Sequence, residues 1–184
     1  MTKKEKFIRP TKERYYMNIA KEVAQRANCL ATIHGSIIVK DDQIVATGYN
    51  GAPRKVRDCI ERGNCLRREL KIPSGQRYEL CRTVHSEANA IINATRSGTK
   101  ILGGDIYLYS EKVWEGEEKV INAHPCFICK KMLINAGIKN VFCIQEDGSI
   151  KKFVIQDWVE AWKKGDMTDD MDIYDSQYKG MKKN

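Results

Sequence analysis

The sequence contains no apolar run that approaches membrane-spanning length. Its N-terminus, MTKKEKFIRP, is basic but lacks the apolar centre of a secretory signal. No segment repeats and none is of low complexity, which argues against solenoid and fibrous architectures. These absences point to a cytoplasmic chain that does not enter a membrane. Its 184 residues suffice for one domain with a real core.

Hydrophobic residues make up 42% of the chain and charged residues 30%, an ordinary globular balance. The net charge of +8 suits anionic partners such as nucleotides, nucleic acids or acidic surfaces and is silent on fold. Seven cysteines stand out: Cys29, Cys59, Cys65, Cys81, Cys126, Cys129 and Cys143. A reducing compartment disfavours structural disulfides, so these read as metal ligands or as buried apolar side chains.

Residues 11–27 carry Tyr15, Ile19 and Val23 at four-residue spacing and read as a helix. Residues 33–39 and 43–47 read as a hairpin turning at Asp41–Asp42, followed by the loop GYNGAP. Residues 54–83 have weak periodicity and read as an ordered insertion or long loop. Next come a helix at 85–96, a strand at 105–109 and a polar excursion at 112–122. A helix at 125–136 follows, with Pro125 near its first position and Gly137 just past its end. Residues 141–144 are all apolar and read as a buried parallel strand. A last strand at 153–155, a short helix at 157–163 and a polar, mobile tail at 166–184 complete the chain. This alternation implies an α/β sandwich with a mixed sheet.

Two motifs carry chemistry. In VHSEANAI, His85 and Glu87 open a helix, where both can point off its end although residues two apart do not share a helix face. In HPCFICKKMLINAG, Cys126 and Cys129 sit three apart at the start of another helix. One imidazole and two thiolates leave a fourth zinc position open, and an open zinc lowers the pKa of water from about 15.7 to about 7. Glu87, beside the ligand His85, is placed to carry protons between water and substrate. Either motif alone is weak: HxE arises by chance, and CxxC also serves redox pairs and structural zinc sites. Together, His-x-Glu and Pro-Cys-x-x-Cys form the signature of zinc deaminases.

Four stretches, SIIVKDDQIVATGYNGAP, CRTVHSEANAI, DIYLYS and PCFICKKMLINAGIKNVFC, resemble the cytidine/deoxycytidylate deaminase superfamily and, within it, the deoxycytidylate (dCMP) branch. The resemblance implies one zinc-dependent domain over residues 1–184, a three-layer α/β/α sandwich around a five-stranded mixed sheet. It also implies a homo-oligomer, with a hexamer favoured. It assigns His85, Cys126 and Cys129 to the catalytic zinc and Glu87 to the proton shuttle. Asn50 matches a substrate-contacting position, although asparagine also suits a turn. Ser110 matches a pocket-lining position, although it also reads as an ordinary strand end. Ser86 stands where the family commonly has alanine, with its backbone amide expected to face the base.

The implied reaction is hydrolytic deamination of dCMP to dUMP, with dCTP and dTTP as possible effectors. Arg54, Lys55 and Arg57 are candidates for the 5′-phosphate or an effector site, or are solvated charge. Deamination of a free cytosine nucleoside, or of a base in a polynucleotide, is the enzymatic alternative. A polynucleotide editor needs stacking aromatics, and residues 54–83 hold only Tyr78, which argues against nucleic acid. A non-catalytic zinc-binding or competence-type protein is the alternative of another class, opposed by the intact Glu87.

Residues 111–124 intervene where the family often runs from strand end to Pro-Cys almost directly, and they border the expected pocket. His124 reads as a surface residue and His34 as a packed one. Cys143 reads as core. Some deoxycytidylate deaminases carry a second, structural zinc; Cys29 and Cys59 match two of its positions, and Cys65 and Cys81 would complete four thiolates. The plain alternative is a set of independent buried thiols.

Overall fold

The structure, a computed structural model, describes residues 8–73 and 76–165; the tail expected at 166–184 lies outside the described residues. Helix α1, Lys12–Ala24, begins at Thr11, whose hydroxyl accepts from the Arg14 amide at 3.2 Å. It buries Tyr16, Met17, Ala20 and Ala24, one apolar stripe at helical spacing. Strands β1, Thr32–Lys40, and β2, Gln43–Tyr49, pair antiparallel across a two-residue turn. Both turn residues, Asp41 (φ 50°) and Asp42 (φ 63°), are left-handed, which matches the twist of a tight hairpin.

Strand β3, Asp105–Lys112, lies antiparallel to β1 on the side away from β2. Strand β5, Asn140–Ile144, runs parallel to β3, and β6, Ile150–Val154, antiparallel to β5. The path β2-β1-β3-β5-β6 is the expected five-stranded mixed sheet, and a two-residue strand β4, Lys119–Val120, extends it beside the end of β3. Every residue of β5 is buried, Cys143 included, as its apolar run implied.

Helix α1 covers one face of the sheet. Helix α4, Ser86–Arg96, covers the other, with α5, Phe127–Asn135, packed beside it. Helix α6, Ile155–Lys164, packs on α5 and β6. The helix expected from residue 125 starts later: Cys126 is its N-cap, so Pro125 precedes the cap rather than occupying the first turn. The insertion at 54–83 is ordered into α2, Cys59–Arg62, α3, Leu66–Glu69, and a 3₁₀ turn, Tyr78–Leu80. A capping box between Asp58 and Glu61 closes the start of α2.

Two glycines set the spacing of the layers. A Cβ on Gly35 would lie 2.1 Å from Ala20 O in α1, and one on Gly48 would lie 2.3 Å from both Ala90 N and Ser86 O in α4. Successive strand residues face opposite sides, so the hairpin presents Gly35 to α1 and Gly48 to α4. Beyond the sheet edge, the Asn89 and Asn93 side-chain amides donate to Tyr49 O and Thr47 O of β2, each at 2.8 Å. They satisfy carbonyls that an edge strand would otherwise leave open. We expect Gly48→Ala to cost about 1–3 kcal/mol by overpacking. That corresponds to a melting temperature lower by about 2–12 °C, read by calorimetry.

Candidate metal centre and its cavity

The N-termini of α4 and α5 meet, and the residues that would ordinarily cap them carry the candidate ligands. His85 is the N-cap of α4 and Cys126 the N-cap of α5, and neither makes a side-chain capping bond. His85 Nδ1 lies 3.4 Å from Cys126 Sγ and 3.4 Å from Cys129 Sγ. Among the described residues this trio is the one group of three or more potential ligands whose donor atoms all lie within 4.8 Å. A pair of backbone hydrogen bonds between Gly51 and Val84, 3.2 and 2.8 Å, ties the GYNGAP loop to the residue before His85.

The trio shares protons. The Cys126 thiol is drawn down to about 4, first by hydrogen bonding with Cys129 and then, against burial, by His85. Cys129 is pushed up as the partner that keeps its proton. Burial pulls His85 down, but hydrogen bonding to Cys126 and the Glu87 charge carry it up to about 9. Glu87 is 5% exposed and pushed up by burial, against the pull of His85. Its Oε2 accepts from Ser86 Oγ at 3.1 Å, and Ser86 Oγ accepts from Ser36 Oγ at 2.8 Å. Two thiols and one imidazole nitrogen, with one thiol already held as thiolate, suit a borderline-soft cation such as zinc. The donor set fits, and binding would displace the protons the trio now shares.

A cavity of about 260 Å³ opens beside the trio, lined by His85, Cys126 and Glu87, and also by Asn50 and Ser110. Asn50 is 3% exposed; its Oδ1 accepts from the His34 amide and its Nδ2 donates to Thr32 O, each at 2.8 Å. The Asn50 side chain thus pins the ends of β1 and the GYNGAP loop as well as reaching the cavity. The Ser86 side chain is fully buried and aimed at Ser36 and Glu87, so it backs the wall rather than lining it. Arg54 stands outside the cavity, exposed, donating to Asn93 Oδ1 at 2.6 Å.

The expectations for two histidines are corrected. His34 lines the cavity instead of being simply packed: Nδ1 is 2.7 Å from Ser110 Oγ and Nε2 is 2.9 Å from Thr32 Oγ1. Burial, and then the nearby His85, push its pKa down to about 4, so it is neutral between its two hydroxyl partners. His124 is a half-buried cavity residue rather than a surface one, its ring edge-on to Phe153 with centroids 4.9 Å apart. Residues 111–124 do border the cavity, through Ile121, Asn122 and His124. Strand register marks His34, since it faces Ser110 directly across β1 and β3, but only once the pairing is known.

The remaining thiols gather loosely. Cys29, Cys65 and Cys81 line the same cavity, and Arg82 Nη1 lies 3.9 Å from Cys59 Sγ. Cys29 is pushed up by burial, with smaller contributions from Cys81 and Cys65. No three of these four sulfurs meet the 4.8 Å spacing that the His85 trio meets.

Fold and cluster together define a deaminase-type zinc domain. The chain belongs to the family described as cytidine and deoxycytidylate deaminase zinc-binding region, which matches residues 10–145. It is 32% identical over 134 residues to deoxycytidylate deaminase of Schizosaccharomyces pombe, a match covering 73% of this chain and 37% of the yeast protein. It is 31% identical over 138 residues to deoxycytidylate deaminase of Mycobacterium phage D29, covering 72% of this chain and 94% of the phage protein. The apo crystal structure of dCMP deaminase from the cyanophage S-TIM5 superposes with a TM-score of 0.51 at 27% identity, covering 73% of this chain and 82% of that one. The chain therefore spans well under half the length of the yeast relative and most of the phage ones.

Cys126→Ser or His85→Ala should lower the zinc content of dialysed protein by about one ion per chain, read by metal analysis. Cys143→Ser, which only loosens the core, should leave the content unchanged.

Proposed function

We propose that the chain catalyses the hydrolytic deamination of dCMP to dUMP. The observation that carries this reading is the Glu87 carboxylate, buried beside the His85–Cys126–Cys129 trio and open to the same cavity. A purely structural metal site has no use for such a carboxylate. A zinc held by His85, Cys126 and Cys129 supplies Lewis-acid activation of water near neutral pH. Glu87 takes the proton from the attacking water and delivers it to N3 of the cytosine as C4 becomes tetrahedral. Glu87 then takes the remaining proton of that water from the new C4 hydroxyl and gives it to the amine, which leaves as ammonia as the C4–N bond breaks. Its burial, which raises its proton affinity, suits a group that must first take a proton from water. His34, held neutral, orients the Ser110 hydroxyl at the cavity wall. The deoxycytidylate deaminases among the relatives support cytosine as the base and a monophosphate as the substrate.

Ultraviolet absorbance resolves both parts of this reading. Glu87→Ala should keep its zinc and its fold yet lose at least about 10²–10⁴-fold in turnover, the weight of a general acid–base group. Wild-type kcat/KM should be higher for dCMP than for deoxycytidine. Equal or better turnover of deoxycytidine would move the assignment to the nucleoside branch.

We further propose that Cys29, Cys59, Cys65 and Cys81 hold a second, structural zinc. What supports this is the position of three of them on one cavity wall and of Cys59, buried, on the adjoining α2. Coordination would draw the four together and pin the insertion, since metal binding and loop ordering are coupled. Metal analysis should then give about two zinc per chain, and Cys29→Ser or Cys81→Ser should remove one and lower the melting temperature. One zinc in the wild type, with stability unmoved in both variants, leaves the four as independent buried thiols.

A further inference from the structure

Arg67 is the one lysine or arginine on the cavity wall among the described residues, and Glu87 is the one carboxylate. Arg67 comes from α3, in the insertion, not from the GYNGAP loop. Its guanidinium carbon lies 5.0 Å above the centroid of Tyr78, and the Tyr78 ring meets His85 edge-on with centroids 4.8 Å apart. One aromatic ring therefore separates the guanidinium from the metal trio.

The hydrogen bonding of Arg67 is incomplete. Nη2 donates to Pro73 O at 2.8 Å, which holds the insertion in place. Nε is buried and has no partner. No carboxylate among the described residues forms an ion pair with it. Glu79, an acid that feels its charge, is exposed and already paired with Arg77. A buried guanidinium donor left unpaired costs free energy unless a ligand completes it. Guanidinium geometry favours a phosphate or carboxylate, taken through two parallel bonds.

We infer that Arg67 is the residue that recognises the 5′-phosphate of the substrate, and so sets the preference for nucleotide over nucleoside. This rests on the dCMP reading above. It transfers to Arg67 the role that basic sequence alone suggested for Arg54. The geometry suits the chemistry: the base meets His85 and Glu87 at one end of the cavity, and the charged end of the nucleotide meets the guanidinium across Tyr78. Nη2 gives one of its two N–H groups to Pro73, so Nε, Nη1 and the second N–H of Nη2 remain for the phosphate oxygens.

The test compares two substrates in the full-length protein. Arg67→Ala should lose about 10- to 100-fold in kcat/KM for dCMP, the weight of a charge-assisted hydrogen-bond pair, while deoxycytidine turnover stays within about threefold. Arg67→Lys, a point charge without the fork, should recover part of the loss on dCMP. Equal losses on both substrates would make Arg67 a strut for the insertion and overturn the inference. So would an Arg67→Ala enzyme that still prefers dCMP as the wild type does. Should the wild type turn over neither substrate, the dCMP reading fails by itself. Inorganic phosphate then reads the site directly: it should raise the melting temperature of wild type and not of Arg67→Ala. A shift that survives in the variant overturns the inference.

Discussion

The site depends on how closely α4 lies against the sheet. Gly48 lets the helix backbone come within contact distance of β2, and the Asn89 and Asn93 amides fasten it to the strand edge. That approach carries Ser86 down to Ser36 and seats Glu87 inside the cavity instead of at its rim. The bridge between Gly51, just past the same end of β2, and Val84 fixes the start of that helix. The proton-carrying carboxylate is thus placed by backbone packing and by amides that never touch a substrate.

Electrostatics then works on a prepared geometry. Two helices begin at residues that carry the candidate ligands, so the positive ends of both face the same small volume. Hydrogen bonding with Cys129, and then His85, favours a thiolate at Cys126 against its burial. Leaving a helix uncapped costs about 1 kcal/mol in ordinary proteins, and a cation held by the trio would offset it. The cavity beyond holds one carboxylate at the metal end and one guanidinium across Tyr78. A ligand with a neutral ring and a charged tail matches that polarity.

The metal trio and Glu87 were legible in the sequence because each half of the motif is contiguous and opens a helix. The strands were legible for a similar reason: β1, β2 and β5 carry their signal in local alternation or in an unbroken apolar run. The parts that sequence left obscure are joined only in space. His34 reads as one polar residue in an apolar strand until its register with Ser110 is known. Arg67 is one of many basic residues in a segment of weak periodicity, and its distinction is a buried donor without a partner. Arg54 looked more promising because it follows GYNGAP directly, yet the chain turns it outward to Asn93. Pro125 marked the coming of a helix correctly, but the cap fell one residue later because Cys126 keeps extended backbone angles.

The two excursions from the sheet, one before α4 and one after β3, touch through a stacked pair. The Arg68 guanidinium lies 3.7 Å over the Trp114 ring. Each excursion supplies part of the cavity wall, Arg67 and Tyr78 from the first, Ile121, Asn122 and His124 from the second. Neither therefore varies freely. A chimera that takes one excursion from a relative and keeps the other would sever the stack and leave half a roof over the pocket. The two loops are mechanically one roof, so a change in either reaches the wall that the other supplies.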